Sequence, residues 1–153
     1  MDLKNKVAFV TGGGRGIGRE TCILLAKQGA KVAVFSRSLT ETSDVAGYIR
    51  EELAGEAIAL AGDVRSEEDV NKAVQKTVET LGSIDILINN AGVMLLKSFD
   101  ETTVEEWDFV QEINTRGVFL CAKAVVPQMK EKRNGVIINI SCIWGTKGGP
   151  DRS

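Results

Sequence analysis

Short apolar runs alternate with longer stretches of helical periodicity along the chain. The apolar runs predict buried strands at residues 7–10, 31–36, 57–61, 84–88 and 136–141. The stretches between them predict helices at residues 16–28, 40–54 and 66–82, and a long helical region from residue 103 to about residue 132. Because crossovers between parallel strands are right-handed and short, this alternation predicts an α/β fold, a doubly wound parallel sheet with strand order 3-2-1-4-5.

The spacing of apolar residues also predicts which helix faces are buried. In the first helix the apolar stripe ends before Gly29 and comprises Ile17, Thr21, Leu24 and Leu25. The second helix is expected to end at Gly55. The third begins at a Ser66 cap with Asp69 three residues on, ends at Gly82, and buries Val70, Ala73, Val74, Thr77, Val78 and Leu81.

The long helical region opens with a capping box formed by Thr103 and Glu106. Its predicted buried stripe comprises Trp107, Val110, Val118 and Cys121. Asn114 lies four residues after Val110 and four before Val118, so we expect it to face inward. A buried amide needs partners or costs about 1–3 kcal/mol, and one interpretation is an asparagine satisfied by a strand backbone.

A glycine-rich turn follows the first strand and precedes the first helix. Glycine lets a ligand approach the backbone, and the free N–H groups of a helix start form an anion site. The pattern Gly-x-Gly-x-x-Gly does not fit, because its third glycine would fall on Ile17 or Arg19, and no Gly-Lys-Ser/Thr follows. The pattern Thr-Gly-x-x-x-Gly-x-Gly fits at Thr11, Gly12, Gly16 and Gly18.

Together with the segment Asn89-Asn90-Ala91-Gly92 after the fourth strand, this loop resembles the short-chain dehydrogenase/reductase family. The resemblance implies an NAD(P)-binding Rossmann domain and reversible hydride transfer between a nicotinamide and an alcohol or carbonyl substrate. It places the phosphate-binding loop at Thr11, Gly12, Gly14, Arg15, Gly16, Ile17 and Gly18. It places Asn90, Ala91 and Gly92 at the wall near the nicotinamide ribose, with part of their role structural.

The end of the second strand bears on the choice of dinucleotide. An NAD site commonly has an acid there for the ribose hydroxyls, whereas this chain has Ser36 followed by Arg37. Guanidinium groups match phosphates, so Arg37, with Arg15 in the loop, favours NADP(H) over NAD(H). The alternative is that both arginines are solvated surface charges.

Three further positions have roles implied by the resemblance. Asp63 and Val64 match an adenine-contacting pair, although Asp63 could equally serve the turn after Gly62. Asn114 matches an asparagine that holds a water in a proton relay.

The family's substrate-binding serine falls on Cys142 when the chain is aligned on Gly145, with Ser141 as its neighbour. A thiol is a weak hydrogen-bond donor, so substrate polarisation by Cys142 would be poorer. Because strand side chains alternate, we expect Ser141 and Cys142 to point to opposite faces and not to share the task.

Composition narrows the remaining function classes. The 153 residues are 43% hydrophobic and 26% charged with a net charge of −2, which is typical of a soluble domain and offers no electrostatic case for nucleic acid or a membrane surface. Three unpaired cysteines and the absence of a leader pattern indicate a cytoplasmic location. The absence of histidine argues against His-based triads and most zinc sites.

The family's Tyr-x-x-x-Lys pair would follow the serine, and the sequence ends at Ser153 before it. We therefore expect residues 1–153 to be a single, C-terminally incomplete domain with impaired activity. We also expect marginal stability and a homo-oligomer formed through the long helical region. The alternatives are a non-catalytic NADP(H)-binding or regulatory module and a methyltransferase. The methyltransferase is disfavoured because no acid follows the second strand.

Overall fold

The computed structural model describes residues 3–143, and its five parallel strands form one sheet. The strand order is 3-2-1-4-5, as predicted. The strands are β1 (Val7–Thr11), β2 (Lys31–Ser36), β3 (Ala57–Ala61), β4 (Ile86–Asn89) and β5 (Val136–Asn139). Successive strands are added on one side of β1 as far as β3 and on its other side from β4 onwards, and doubly wound sheets open a crevice at this switch point, at the carboxyl ends of the strands.

Helices cover both faces of the sheet. They are α1 (Gly16–Lys27), α2 (Leu39–Glu52), α3 (Glu67–Leu81), α4 (Val104–Gln111) and α5 (Gly117–Glu131). One core contains Phe9, Phe35 and Leu87 with side chains of α3 and α5, and the other contains Val10, Val34 and side chains of α1 and α2. β1, β2 and β4 are buried on both faces, which explains their continuous apolar runs, whereas all four residues of β5 are exposed. No helix among residues 3–143 has the length and apolar character needed to cross a membrane.

The fifth strand is shorter than predicted. Its ladder ends at Asn139, although the Ile140 N–H still donates to the Asn89 carbonyl at 2.8 Å. Because β4 also ends at Asn89, β5 has no partner in β4 beyond that point. Ser141 and Cys142 therefore lie past the strand, so strand alternation is no longer a reason to separate their side chains.

The buried face of α1 differs from the predicted stripe. Its buried residues are Gly18, Cys22, Ile23 and Ala26, whereas Ile17 is 67% exposed and Leu24 is 61% exposed. A Cβ at Gly18 would lie only 2.1 Å from the Gly12 carbonyl oxygen. This contact leaves no room for a side chain at position 18, so Gly18 lies on the buried face of α1 while Ile17 and Leu24 face outward.

The second and third helices mostly follow the sequence prediction. α2 ends at Glu52, and Ala54 rather than Gly55 adopts the positive φ of 48° after it. α3 begins with the predicted Ser66 cap and buries all the expected positions except Val78, which is exposed.

The long helical region has a π-helical turn, Glu112–Arg116, between α4 and α5. The Thr103–Glu106 capping box is present as predicted. A π-turn changes the phase of the residues that follow it relative to regular helical spacing. The predicted stripe is confirmed at Cys121, whereas Val110 and Val118 are only partly buried and Trp107 and Asn114 are exposed. The buried positions are Ile113, Gly117, Leu120, Cys121, Val125 and Met129.

Candidate functional site

A cavity of about 470 Å³ opens at the carboxyl ends of β1 to β4. Its size is within the range of small-molecule sites. Most of the cofactor residues expected from the sequence line it: Gly12, Gly14, Arg15, Gly16, Ile17, Ser36, Arg37, Asp63, Val64, Asn90, Ala91 and Gly92. The structure thus brings together residues from four separate loops on one concave surface.

The loop between β1 and α1 forms one side of this cavity. Gly12 and Gly16 have φ values of +62° and +54°, a conformation that side-chain-bearing residues rarely adopt. A Cβ at Gly16 would meet no atom within 4 Å, so this glycine faces open space. Arg15 occupies the N-cap position of α1, and within the described chain its side chain makes no cap hydrogen bond. The first N–H groups of α1 are consequently available to an anion.

Thr11 and Gly18 are buried beneath the loop and are not among the residues that line the cavity. Thr11 is 1% exposed, and its hydroxyl oxygen accepts from the N–H groups of Asn90 and Ala91, both at 3.0 Å. The Asn90 side-chain nitrogen donates to the carbonyl oxygens of Thr11 at 3.0 Å and Gly12 at 3.2 Å. These bonds hold the glycine-rich loop against the segment that follows β4.

The end of β2 forms the charged side of the cavity. The Ser36 hydroxyl donates to the Ser38 carbonyl oxygen at 3.3 Å. The Arg15 side chain is 80% exposed, and its Nη1 lies 3.9 Å from Oε1 of Glu41. Arg37 lines the same cavity and acts electrostatically on Asp63. The guanidinium groups of Arg15 and Arg37 and the carboxylates of Glu41 and Asp63 therefore line one cavity.

Asp63 is engaged by its neighbour Arg65. Its Oδ1 accepts from the Arg65 N–H at 2.9 Å, and its Oδ2 accepts from the Arg65 guanidinium at 2.7 Å. The hydrogen bond from Arg65 is the main cause that holds the pKa of Asp63 below its usual value. Asp63 thus accepts a backbone hydrogen bond within the turn after Gly62. Val64 is buried against Gly117.

Asn114 lies in the π-turn and is exposed, so the prediction that it faces inward is wrong. Its amide nevertheless has a fixed geometry. Its Oδ1 accepts from the Val93 N–H at 2.9 Å, and its Nδ2 donates to the Val93 carbonyl oxygen at 2.7 Å. Because Val93 follows Asn90-Ala91-Gly92, these two hydrogen bonds attach the long helical region to the cavity wall.

Ser141 and Cys142 follow β5 and are both exposed. Neither is among the residues that line the cavity. Gly145, on which their sequence alignment depends, lies outside the described residues. The other two thiols are buried, and burial raises the pKa of Cys22 and of Cys121 to about 12 in each case.

Sequence reasoning missed several cavity residues, namely Ser38, Glu41, Gly62, Val93 and Ile113. Two of them had a usable signal. Ser38 followed three residues later by Glu41 is a helix-start pattern, and Ser38 does cap α2 by accepting from the Glu41 N–H at 3.3 Å. Recognising that cap would have placed Glu41 near the end of β2.

Comparison with known proteins shows what this arrangement is similar to. The protein-family model described as short chain dehydrogenase matches residues 6–153. An uncharacterized oxidoreductase of Thermotoga maritima is 40% identical over 152 residues, which cover 99% of this chain and 59% of that protein. A 3-oxoacyl-(acyl-carrier-protein) reductase of Staphylococcus epidermidis is 37% identical over 152 residues, which cover 97% of this chain and 61% of that protein.

A solved structure agrees with these sequence matches. The crystal structure of an NAD+-bound xylitol dehydrogenase superimposes with a TM-score of 0.94 at 33% identity, covering 99% of this chain and 58% of that one. The chain therefore spans between 58% and 61% of the length of these three relatives.

Proposed function

The chain belongs to the short-chain dehydrogenase family, and we propose that its cavity binds a nicotinamide dinucleotide for hydride transfer with an alcohol or carbonyl substrate. The observation that carries this proposal is the cavity itself. Glycines of the β1–α1 loop line one side of it and Asn90-Ala91-Gly92 lines the other. Sites of this kind occur at the switch point of doubly wound sheets.

The residues present fit such a ligand. The open space at Gly16 and the N–H groups at the start of α1 would hold the pyrophosphate. Ser36 and Arg37 would contact the adenosine ribose, and Asp63 and Val64 would lie beside the adenine. When bound, the nicotinamide supplies the hydride donor or acceptor. The protein's contribution is to orient that group and the substrate.

We infer a preference for NADP(H) over NAD(H) from the charges at the end of β2. Arg15 and Arg37 both face the cavity, and residues 36–38 contain no acid. The guanidinium groups offer forked donors to a 2′-phosphate. The alternative, two solvated surface arginines, predicts equal affinity for the two cofactors.

Asn114, Ser141 and Cys142 are the proposed residues for the chemical step. The amide of Asn114 already bonds both polar groups of Val93, yet its Oδ1 has a second lone pair and its Nδ2 a second hydrogen. Because Asn114 is exposed, these can hold a water of a proton relay. Ser141 or Cys142 would contact the substrate oxygen.

Binding of NADPH and NADH to the chain, measured by nucleotide fluorescence and calorimetry, tests the proposed function. We expect both to bind and NADPH to bind more tightly. Arg37→Gln should weaken NADPH about tenfold and leave NADH within about twofold, because a charged hydrogen bond contributes about 1.5–3 kcal/mol. Lys130→Gln, an exposed cation in the last turn of α5, is the control.

Two outcomes would contradict these proposals separately. Folded protein that binds neither nucleotide would overturn the proposed function. Equal affinity for NADPH and NADH, unchanged in Arg37→Gln, would overturn only the cofactor preference.

One observation favours a second candidate, a non-catalytic NADP(H)-binding or regulatory module. Cys142 stands where the family has a serine, and a thiol polarises a carbonyl poorly. A panel of ketones and aldehydes, followed by NADPH oxidation, distinguishes the two. The cytoplasmic location and the homo-oligomer through the long helical region stay predictions from the sequence.

A further inference from the structure

We propose that Glu41 sets how strongly the site discriminates between NADPH and NADH. This inference rests on the proposed function. Glu41 lines the cavity beside the end of β2. Residues 36–38, which directly end that strand, contain no acid. Glu41 comes from the first turn of α2. Its carboxylate would accept hydrogen bonds from the ribose hydroxyls of NAD(H) and would repel the 2′-phosphate of NADP(H).

The position of Glu41 relative to the glycine-rich loop is the first support. A Cβ at Gly14 would lie 2.8 Å from the Glu41 Cβ, 3.1 Å from its Oε2 and 3.1 Å from the Ser36 Oγ. The carboxylate and the Ser36 hydroxyl therefore both border Gly14. The acid that many NAD sites carry at the end of β2 is here supplied from the neighbouring helix.

The ion pair between Glu41 and Arg15 is the second support. Its atoms are 3.9 Å apart, the Arg15 side chain is 80% exposed and the Glu41 side chain is 41% exposed. Such a loose, solvated pair contributes little and exchanges readily. Arg15 can thus leave Glu41 for a phosphate, while Glu41 remains free to accept from a ribose hydroxyl. One pair of side chains can serve either cofactor.

The opposed charges have a definite consequence for selectivity. Arg15 and Arg37 attract the 2′-phosphate, and Glu41 opposes it at close range. The wild-type protein should therefore bind both cofactors, with only a modest preference for NADPH. Removing the negative charge of Glu41 should increase that preference in two ways, by strengthening NADPH binding and by weakening NADH binding.

Glu41→Gln is the direct test, because it keeps the size of the side chain and removes its charge. We expect NADPH affinity to rise about threefold, the scale of an exposed ion pair, and NADH affinity to fall about three- to tenfold. Glu52→Gln removes the same charge at the other end of α2, where the residue is exposed, and should leave both affinities within about twofold. Dissociation constants from nucleotide fluorescence and calorimetry are the readout, with thermal melts to verify folding.

A double variant separates the attraction of the 2′-phosphate by Arg15 from its repulsion by Glu41. In an Arg15→Gln background, Glu41→Gln should strengthen NADPH less, because no freed guanidinium remains to bind the phosphate. Its effect on NADH should persist. An unchanged NADPH-to-NADH ratio in folded Glu41→Gln would overturn this inference and leave the proposed function intact. Wild-type protein that binds neither nucleotide would overturn both.

Discussion

The hydroxyl oxygen of Thr11 accepts from the Asn90 N–H at 3.0 Å, and the Asn90 side-chain amide donates to the Thr11 carbonyl oxygen at 3.0 Å. This reciprocal pair joins the end of β1 to the segment after β4. The Thr11 hydroxyl also accepts from the Ala91 N–H and donates to the Ile88 carbonyl oxygen at 3.4 Å. Buried Thr11 and the side chain of Asn90 therefore join the two sides of the cavity.

Replacing Thr11 by valine should destabilise the protein and weaken nucleotide binding. The substitution keeps the side-chain shape but leaves two N–H groups without their acceptor, which costs about 1–3 kcal/mol. Thr11→Ser keeps the hydroxyl and loses a methyl group, so it should cost about 1 kcal/mol. Urea unfolding measures both changes. Equal losses of unfolding free energy in the two variants would show that the Thr11 hydrogen bonds are not its main contribution to stability.

The loop glycines should separate stability from binding. In Gly18→Ala the new Cβ would lie 2.1 Å from the Gly12 carbonyl oxygen, so we expect a loss of about 3 kcal/mol or more. Gly16→Ala faces open space, so only its positive φ costs stability, about 1–2 kcal/mol. Because Gly16 lines the cavity, the added methyl group should nevertheless reduce nucleotide affinity.

Gly47→Ala is the control for these glycine variants. Gly47 lies within α2, and a Cβ there would approach only the Glu51 Oε1, at 4.0 Å. Alanine in a helix interior should stabilise the protein by about 0.5–1 kcal/mol. Unfolding by denaturant and nucleotide fluorescence are measured on all three variants. Stable Gly18→Ala protein with normal binding would contradict the packing described for the loop.

Asp85 should contribute to stability in a pH-dependent way. Its Oδ2 accepts from the Val7 N–H at 2.9 Å, and its Oδ1 lies 3.0 Å from the Lys132 Nζ. Burial acts to raise the pKa of Asp85, but the hydrogen bonds from Val7 and Lys132 outweigh it and lower the pKa below the ordinary value of 3.8. A depressed pKa in the folded state means that the stabilisation is present above about pH 4 and is lost as the pH falls below it.

Asp85→Asn should therefore flatten the acid limb of the stability curve. At pH 7 the variant should be about 1–3 kcal/mol less stable than wild type, and the difference should shrink towards pH 3. Asp44→Asn removes an exposed carboxylate of α2 and serves as the control. Denaturant unfolding at several pH values provides the measurement. A difference that is constant from pH 7 to pH 3 would exclude Asp85 as the titrating group.

The three cysteines should differ sharply in reactivity. Cys142 is exposed, whereas burial raises the pKa of Cys22 and Cys121 to about 12 and also shields their sulfur atoms. A disulfide reagent at pH 8 should modify one thiol per native chain quickly and all three in denaturant. Cys142→Ser should abolish the fast reaction. Rapid modification of two or more thiols in the native protein would contradict the described packing.

The strand order was predictable because it follows from near-neighbour patterns. Apolar runs of four to six residues, separated by helical stretches, restrict the chain to right-handed parallel crossovers. The caps at Ser66 and Thr103 were predictable for the same reason, since a helix start involves residues only three positions apart. The pattern Thr-Gly-x-x-x-Gly-x-Gly placed the loop at the carboxyl end of β1 from local spacing alone.

Which face of each helix is buried was not predictable in the same way. Gly18 lies on the buried face of α1 and closely approaches the Gly12 carbonyl, while Ile17 lines the cavity. The π-turn changes the phase before α5 and exposes Asn114. Apolar periodicity cannot reveal either effect, because both depend on how closely one backbone segment approaches another.

Local spacing in the chain thus decided the order of the strands, the position of the phosphate-binding loop and the starts of two helices. Only the folded arrangement decided which side chains face the cavity. The Glu41 side chain borders Gly14 of the β1–α1 loop, and Asn114 bonds the Val93 backbone 21 positions away. The reason is physical: hydrogen bonds between near neighbours are encoded by spacing, whereas the meeting of distant side chains depends on the packing of whole elements.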